Sequence, residues 1–270
     1  MESTSTDNIG TIYGRVKVIS GKYYINPGNH TMPIIFAQPA SIIDLNTILL
    51  IHSDTTDGSA VFTDSSSYSV NQSSTYYATN STDTAKFGAT SIKFPDGGSG
   101  PGGNILYNTS GPAPVDLFHF GTGDFTHDFW VYRSGPWSGY NFIAGQENDN
   151  KPGACSAIGG TTAMKFGYRR SVSADVWLKT NVVVPLTTWT HIAFVRASGV
   201  GYVFVDGVLD GTSFAFTTDL TADGSNIGLG SSLATSNNPR LEDAYMDEIR
   251  ISNIARWTTN FTPPTAPYAS

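Results

Sequence analysis

The acidic residues near the end of the chain are the first candidates for chemistry. Glu242-Asp-Ala-Tyr-Met-Asp-Glu248 packs four carboxylates into seven positions, in a chain with only four glutamates: Glu2, Glu147, Glu242 and Glu248. Two carboxylates about 5–10 Å apart can flank and hydrolyse a glycosidic bond. The stretch 243–256 reads as a strand, however, and residues two apart on a strand share a face. Strict alternation puts Tyr245, Asp247, Ile249 and Ile251 on one side and Met246, Glu248 and Arg250 on the other. On that pattern Asp247 and Glu248 point apart and do not work as a pair. The isoleucines mark the first side as the core side, so Asp247 faces a core. It then needs a partner, because an unpaired buried charge is very costly.

The other reactive side chains are scattered. His52, His119, His127 and His191 lie in strand-like segments and His30 in a turn, with no Gly-x-Ser-x-Gly nucleophile motif near them. They read as structural histidines. Glu147 sits alone in the polar loop Gln146–Asn150. Cys155 is the one cysteine, which excludes an internal disulfide framework and a Cys-rich zinc site. Gly97-Gly-Ser-Gly-Pro-Gly-Gly103 lacks the Lys-Ser/Thr ending of a phosphate-binding loop. Exposed aromatics offer a different chemistry. Trp137 and Tyr140 lie in a Gly/Pro/Ser loop, and Tyr76 and Tyr77 in a long polar one, where each could stack on a sugar ring. Loops on a rigid scaffold are where binding residues sit. The alternative is that these rings fold back over the core.

What must position these groups is β structure. Only 14% of the 270 residues are Asp, Glu, Lys or Arg, against about 25% in an ordinary domain, and aromatics reach 12%. The net charge of −7 argues against a general nucleic-acid footprint. No apolar run approaches the length of a membrane helix, and the polar, acidic N-terminus does not read as a secretory signal.

Residues 1 to 42 read as a separate element. Arg15-Val-Lys-Val-Ile19 and Lys22-Tyr-Tyr-Ile25 flank a short turn, a hairpin that is marginal alone in water. It is expected to act as an anchoring or assembly arm. From residue 43 to 270 short strands recur between turn signals. They include Thr47–Asp54, Ser91–Phe94, Phe125–Arg133, Asn141–Gly145, Met164–Arg169, Val176–Thr180, Trp189–Arg196, Gly201–Val205, Asn226–Gly230 and the acidic strand. Asp206-Gly207 between alternating runs is a strong hairpin signal. Phe125-Thr-His-Asp-Phe-Trp-Val-Tyr-Arg133 has large residues on both sides, so both its faces are expected to be covered. Such a series predicts a two-sheet antiparallel sandwich.

The order of pieces resembles laminin-G-like, concanavalin-A-like jelly rolls. Leu49-Leu-Ile-His-Ser-Asp54, Phe87-Gly88 with Ser91–Phe94, Gly123–Tyr132, Trp189–Arg196 with Val203–Gly207, Ile227–Gly230 and Met246–Ile251 occur in the family's sequence. The resemblance covers residues 43 to 268. The ending Ile254-Ala-Arg-Trp-Thr-Thr-Asn-Phe-Thr-Pro-Pro-Thr-Ala-Pro-Tyr268 looks like the version found in bacteriophage and other virion proteins, such as tail fibres and capsid-decorating proteins.

The resemblance implies an all-β jelly roll with a small N-terminal hairpin arm. It implies a non-enzymatic virion structural protein displayed on a capsid or tail, in many copies or as a homo-oligomer. Its arm would contact other virion proteins, and its domain would touch host surface glycans through Trp137, Tyr140, Tyr76 and Tyr77. Neither nucleic acid nor membrane insertion is expected. Relatives of the fold often hold a structural Ca²⁺ near the first and last strands, which makes Asp54 and Asp247 candidate ligands if those strands pair. The alternative is that Asp247 accepts backbone N–H bonds or an arginine while Asp54 caps a turn. A stand-alone lectin is a second function. A glycoside hydrolase is a third, disfavoured because the Glu-x-Asp-x-x-Glu spacing of the family's glucanases is missing here.

Overall fold

The computed structural model describes residues 15–19, 22–26, 32–33, 44–95, 104–107, 120–135, 141–146, 155–158, 165–169, 177–179, 182–220, 227–230, 241 and 243–269. The chain divides into two compact units, Met1–Ile42 and Ile43–Ser270. In the first unit β1 (Arg15–Ile19), β2 (Lys22–Asn26) and β3 (Met32–Pro33) form an antiparallel sheet in that order, with Arg15 opposite Asn26.

The second unit is built from strands alone among its described residues. They are β4 (Thr47–Ile51), β5 (Gln72–Tyr76), β6 (Thr79–Ser81), β7 (Ser91–Phe94), β8 (Asn104–Tyr107), β9 (Phe125–Arg133), β10 (Asn141–Gln146) and β11 (Cys155–Ile158). There follow β12 (Lys165–Arg169), β13 (Trp177–Lys179), β14 (Thr190–Ala197), β15 (Val200–Val205), β16 (Val208–Leu209), β17 (Phe214–Ala215), β18 (Ile227–Leu229) and β19 (Ala244–Ser252). One sheet runs β13-β12-β11-β10-β18-β8-β5. The other runs β16-β15-β14-β9-β19-β7-β6, with β17 beside β15 and β4 beside β19. All these strand pairings are antiparallel, the arrangement of a jelly-roll sandwich. Ile105 of β8 and Leu229 of β18 share one buried cluster with Phe129, Val131, Ile192, Phe194, Met246, Ile249 and Ile251 of the larger sheet. Buried apolar area of this kind is the main driving force of the fold.

Local chemistry fixes the hairpins. Asp206 and Gly207 both have positive φ, 48° and 74°, the backbone that a two-residue turn between β15 and β16 requires. Gly207 is doubly constrained, since a Cβ there would lie 2.1 Å from the carbonyl oxygen of Phe261.

β9 is covered on both faces, as its sequence predicts, but two different things cover it. Phe125, Phe129 and Val131 face the second sheet. The opposite face lies beneath the chain's own C-terminal segment. Ala193, Val195 and Phe204 form a second apolar cluster against which Ala255, Trp257 and Phe261 pack. The rings of Trp257 and Phe261 stack at 3.8 Å. Phe261 N–H donates to the Gly207 carbonyl (2.9 Å) and Leu209 N–H to Asn260 Oδ1 (2.8 Å), which ties the segment to the β15–β16 turn.

Candidate functional site

The acidic strand does not keep strict alternation. Along β9 and β19, Asp247 pairs with Trp130 but Arg250 pairs with Asp128, so β19 carries one extra residue between the two points. This is a β-bulge, and Glu248 takes it up with φ of 50°. Before the bulge Ala244 and Met246 face the core; after it Ile249 and Ile251 do. The expectation that Asp247 shares the core face with the isoleucines, and so points apart from Glu248, is therefore corrected. Asp247 and Glu248 lie together on the outer face, with Trp130, Asp128 and Arg250. The bulge sits where the neighbour of β19 changes from β7 (at Ala244–Met246) to β4 (at Ile249–Ser252). Backbone donors of the segment before β7 come within reach of Asp247 there.

Asp247 is fully buried. Its Oδ2 accepts the N–H groups of Lys86 (2.8 Å) and Phe87 (3.1 Å), and its Oδ1 that of Glu248 (2.9 Å). Burial pushes its carboxyl up to about 7; the three N–H bonds hold it back and the Glu248 charge adds to the rise. Asp54 is exposed and accepts the N–H of Ala89 (3.1 Å) from the same segment. Gly88 lies between, with φ of 62°, and a Cβ on it would strike the Asp54 carboxylate. The first and last strands do pair, Ile51 opposite Ile249. The two acids thus flank one loop and hold its backbone donors. The N–H groups on Asp247 match the backbone-donor alternative weighed for this residue. Among the described residues no three His, Cys, Asp or Glu side chains converge as a metal site.

Glu248 is also buried, and both its oxygens are used. Oε1 accepts from His52 Nδ1 (2.8 Å) and Oε2 from the Tyr268 N–H (2.8 Å). Burial works against a charged His52, but the Glu248 bond and charge outweigh it and raise the imidazole above its ordinary value. Next to it Asp128, fully buried, receives Arg250 in a fork: Nε to Oδ1 and Nη2 to Oδ2, each 3.0 Å. The Tyr268 hydroxyl also donates to Asp128, and His191 Nε2 lies 3.4 Å from Oδ2. Burial alone would raise the Asp128 carboxyl; the Arg250 charge and the His191 bond override it and hold it well below the usual carboxylate range. The Arg250 guanidinium lies 3.6 Å above the Tyr268 ring and 5.5 Å from Trp257. The carboxylates of Glu248 and Asp128 are thus held by His52, Arg250 and the C-terminal segment. The arrangement locks that segment in place.

Of the histidines, His30 and His119 lie outside the described residues. His127 is fully buried beside Phe129, and burial lowers its ring to about 4. Of the aromatic candidates for sugar stacking, Trp137 and Tyr140 lie outside the described residues, as does the Tyr76 side chain. Tyr77 is 61% exposed at a positive φ of 54°. Tyr268, Arg250 and Asp128 were not singled out by sequence. The spaced aromatics Trp257, Phe261 and Tyr268 in a proline-rich ending are the signal that could have found their partner surface.

These features define an all-β sandwich of the lectin and glucanase type. The chain belongs to the family described as the concanavalin A-like lectin/glucanases superfamily, whose model matches residues 107–259. No curated protein matches it in sequence. Among solved structures it is similar to the receptor binding domain of botulinum neurotoxin C/D mosaic serotype, with 10% identity, a TM-score of 0.55, and 78% of this chain and 49% of that one covered. The binding domain of Paraclostridial Mosquitocidal Protein 1 is similar at 14% identity, with the same TM-score and coverages. The binding domain of botulinum neurotoxin DC in complex with SialylT is similar at 10% identity and TM-score 0.55, covering 78% and 48%. The chain spans about half the length of these structures, and at such identities the likeness is one of fold.

Proposed function

We propose that the chain is a non-enzymatic, lectin-like binding domain of a virion structural protein, displayed on a capsid or tail, that binds host surface glycans. The observation that carries the non-enzymatic part is the state of Asp247 and Glu248. The bulge brings them to one face, as a hydrolase would need, yet both are fully buried and each oxygen already holds a donor. A glycosidase pair must reach its substrate. The glycan part is supported by the family's lectin-like fold and by neighbours whose names describe receptor binding and a SialylT complex. Trp137, Tyr140, Tyr76 and Tyr77 are the proposed stacking residues.

The virion setting rests on the sequence resemblance of residues 254–268. In this reading the unit Met1–Ile42 carries contacts to other virion proteins, and many copies or a homo-oligomer decorate the particle. Mass spectrometry of purified particles tests the setting: the chain is expected among the particle proteins, and its absence from them rejects a virion role. A structural Ca²⁺ at Asp54 and Asp247 is a separate proposal, tested by the effect of EDTA on the melting temperature.

A further inference from the structure

The outer face of the larger sheet is not covered evenly. The C-terminal segment packs over the Asp128, His191, Ala193 and Val195 region. At the other end of the same strands a row of side chains crosses the sheet at a single register. Thr190 pairs with Val131, which sets Trp189 beside Tyr132. Tyr132 pairs with Tyr245, Tyr245 with Lys93, and Lys93 with Thr79. Five adjacent strand positions at about 4.8 Å spacing span roughly 19 Å.

The row has the chemistry of a saccharide subsite. Trp189 and Tyr132 are half-buried, their ring centroids 5.6 Å apart and their planes tilted by 50°. Tyr245 forms the floor, edge-on to Tyr132 at 5.9 Å. These rings are fixed by neighbours. Trp189 Nε1 donates to Thr84 Oγ1 (3.2 Å), and the Tyr245 hydroxyl donates to Asp83 (3.0 Å). Lys93 Nζ lies 2.6 Å from the same Asp83 oxygen, and the two side chains are 38% and 52% exposed, so both remain open to a ligand. A held aromatic platform beside an exposed acceptor and donor is what a sugar needs: an apolar ring face to stack, and hydroxyls to donate and accept. The pair carries no net charge, and the whole chain carries −7. That balance favours a neutral sugar over an acidic one, since the paired Lys93 and Asp83 offer no net positive charge in a chain that is negative overall.

We infer that Trp189, Tyr132, Tyr245, Lys93 and Asp83 form a binding site for a neutral oligosaccharide. It rests on the glycan-binding reading above and adds a site that the loop aromatics do not supply. The full chain is probed on an array of neutral and sialylated oligosaccharides, and the best neutral ligand is then titrated by tryptophan fluorescence. Trp189→Ala and Asp83→Asn are expected to raise Kd at least tenfold, Asp83→Asn with an unchanged melt because the residue is exposed. Binding that survives both Trp189→Ala and Asp83→Asn overturns this site and leaves the glycan reading standing. No bound glycan of any kind overturns both. Stronger binding of sialylated than of neutral oligosaccharides overturns the neutral assignment.

Discussion

Replacing Asp247 by Asn should change the sign of its effect with pH. In the folded chain the carboxyl is pushed from its ordinary 3.8 up to about 7. A carboxyl raised by folding binds its proton more tightly when folded, so stability falls as pH rises from about 4 through about 7. The gap, at about 1.4 kcal/mol per pH unit, makes the ionised form cost about 4 kcal/mol by pH 8. Asn has no such titration. It loses one acceptor, which leaves a buried N–H among Lys86, Phe87 and Glu248 without a partner, at about 1–3 kcal/mol independent of pH. Between pH 5 and 8 the difference between variant and parent should therefore move by about 3 kcal/mol in the variant's favour. The variant is the less stable near pH 4 and the more stable at pH 8, with the two within about 1 kcal/mol at pH 5. Urea unfolding of both proteins at pH 5, 6, 7 and 8 measures it. Parallel pH profiles would refute the burial argument, because they would mean Asp247 titrates alike in the folded and unfolded chains.

Further outcomes follow from the same geometry. His127 is lowered to about 4 by burial, so it weakens the fold as pH drops from about 6.5 toward 4; His127→Gln should flatten that acid limb in urea titrations. Asp128→Asn leaves Arg250 buried without its carboxylate and should cost about 3–5 kcal/mol in unfolding free energy. Gly207→Ala places a Cβ 2.1 Å from the Phe261 carbonyl at a positive φ, and should lower the melting temperature and expose the segment after Ser252 to limited proteolysis. EDTA should leave the melting temperature unchanged if the loop Lys86–Ala89 is held by Asp54 and Asp247 through N–H bonds alone; a fall would assign calcium to it.

The sandwich was readable because its signals are local. Large residues on both sides of Phe125–Arg133, alternation in Trp189–Arg196 and the Asp206-Gly207 turn each mark one element, and the hairpins they imply are the observed β14–β15 and β15–β16 pairs. The pairing of the first and last strands, which the sequence left as a condition, is observed. The bulge was not readable. It adds one residue without glycine or proline to announce it, since Glu248 itself adopts the positive φ, and one inserted residue reverses every later side chain. The face assigned to Asp247 failed for that reason. The cover over Asp128 and Arg250 escaped as well, because a burial-driven contact over 120 residues apart in sequence leaves no local period. What the sequence did supply was the anomaly, a carboxylate in an apolar strand that had to be satisfied.

Parallel measurement of binding and turnover on a panel of polysaccharides tests the central claim, that this lectin-like domain binds glycans and does not cleave them. The expected result is saturable binding of at least one glycan with no released fragment, unaltered by Glu248→Gln in any fold-competent preparation. Fragment release by the parent chain that Glu248→Gln abolishes would contradict it.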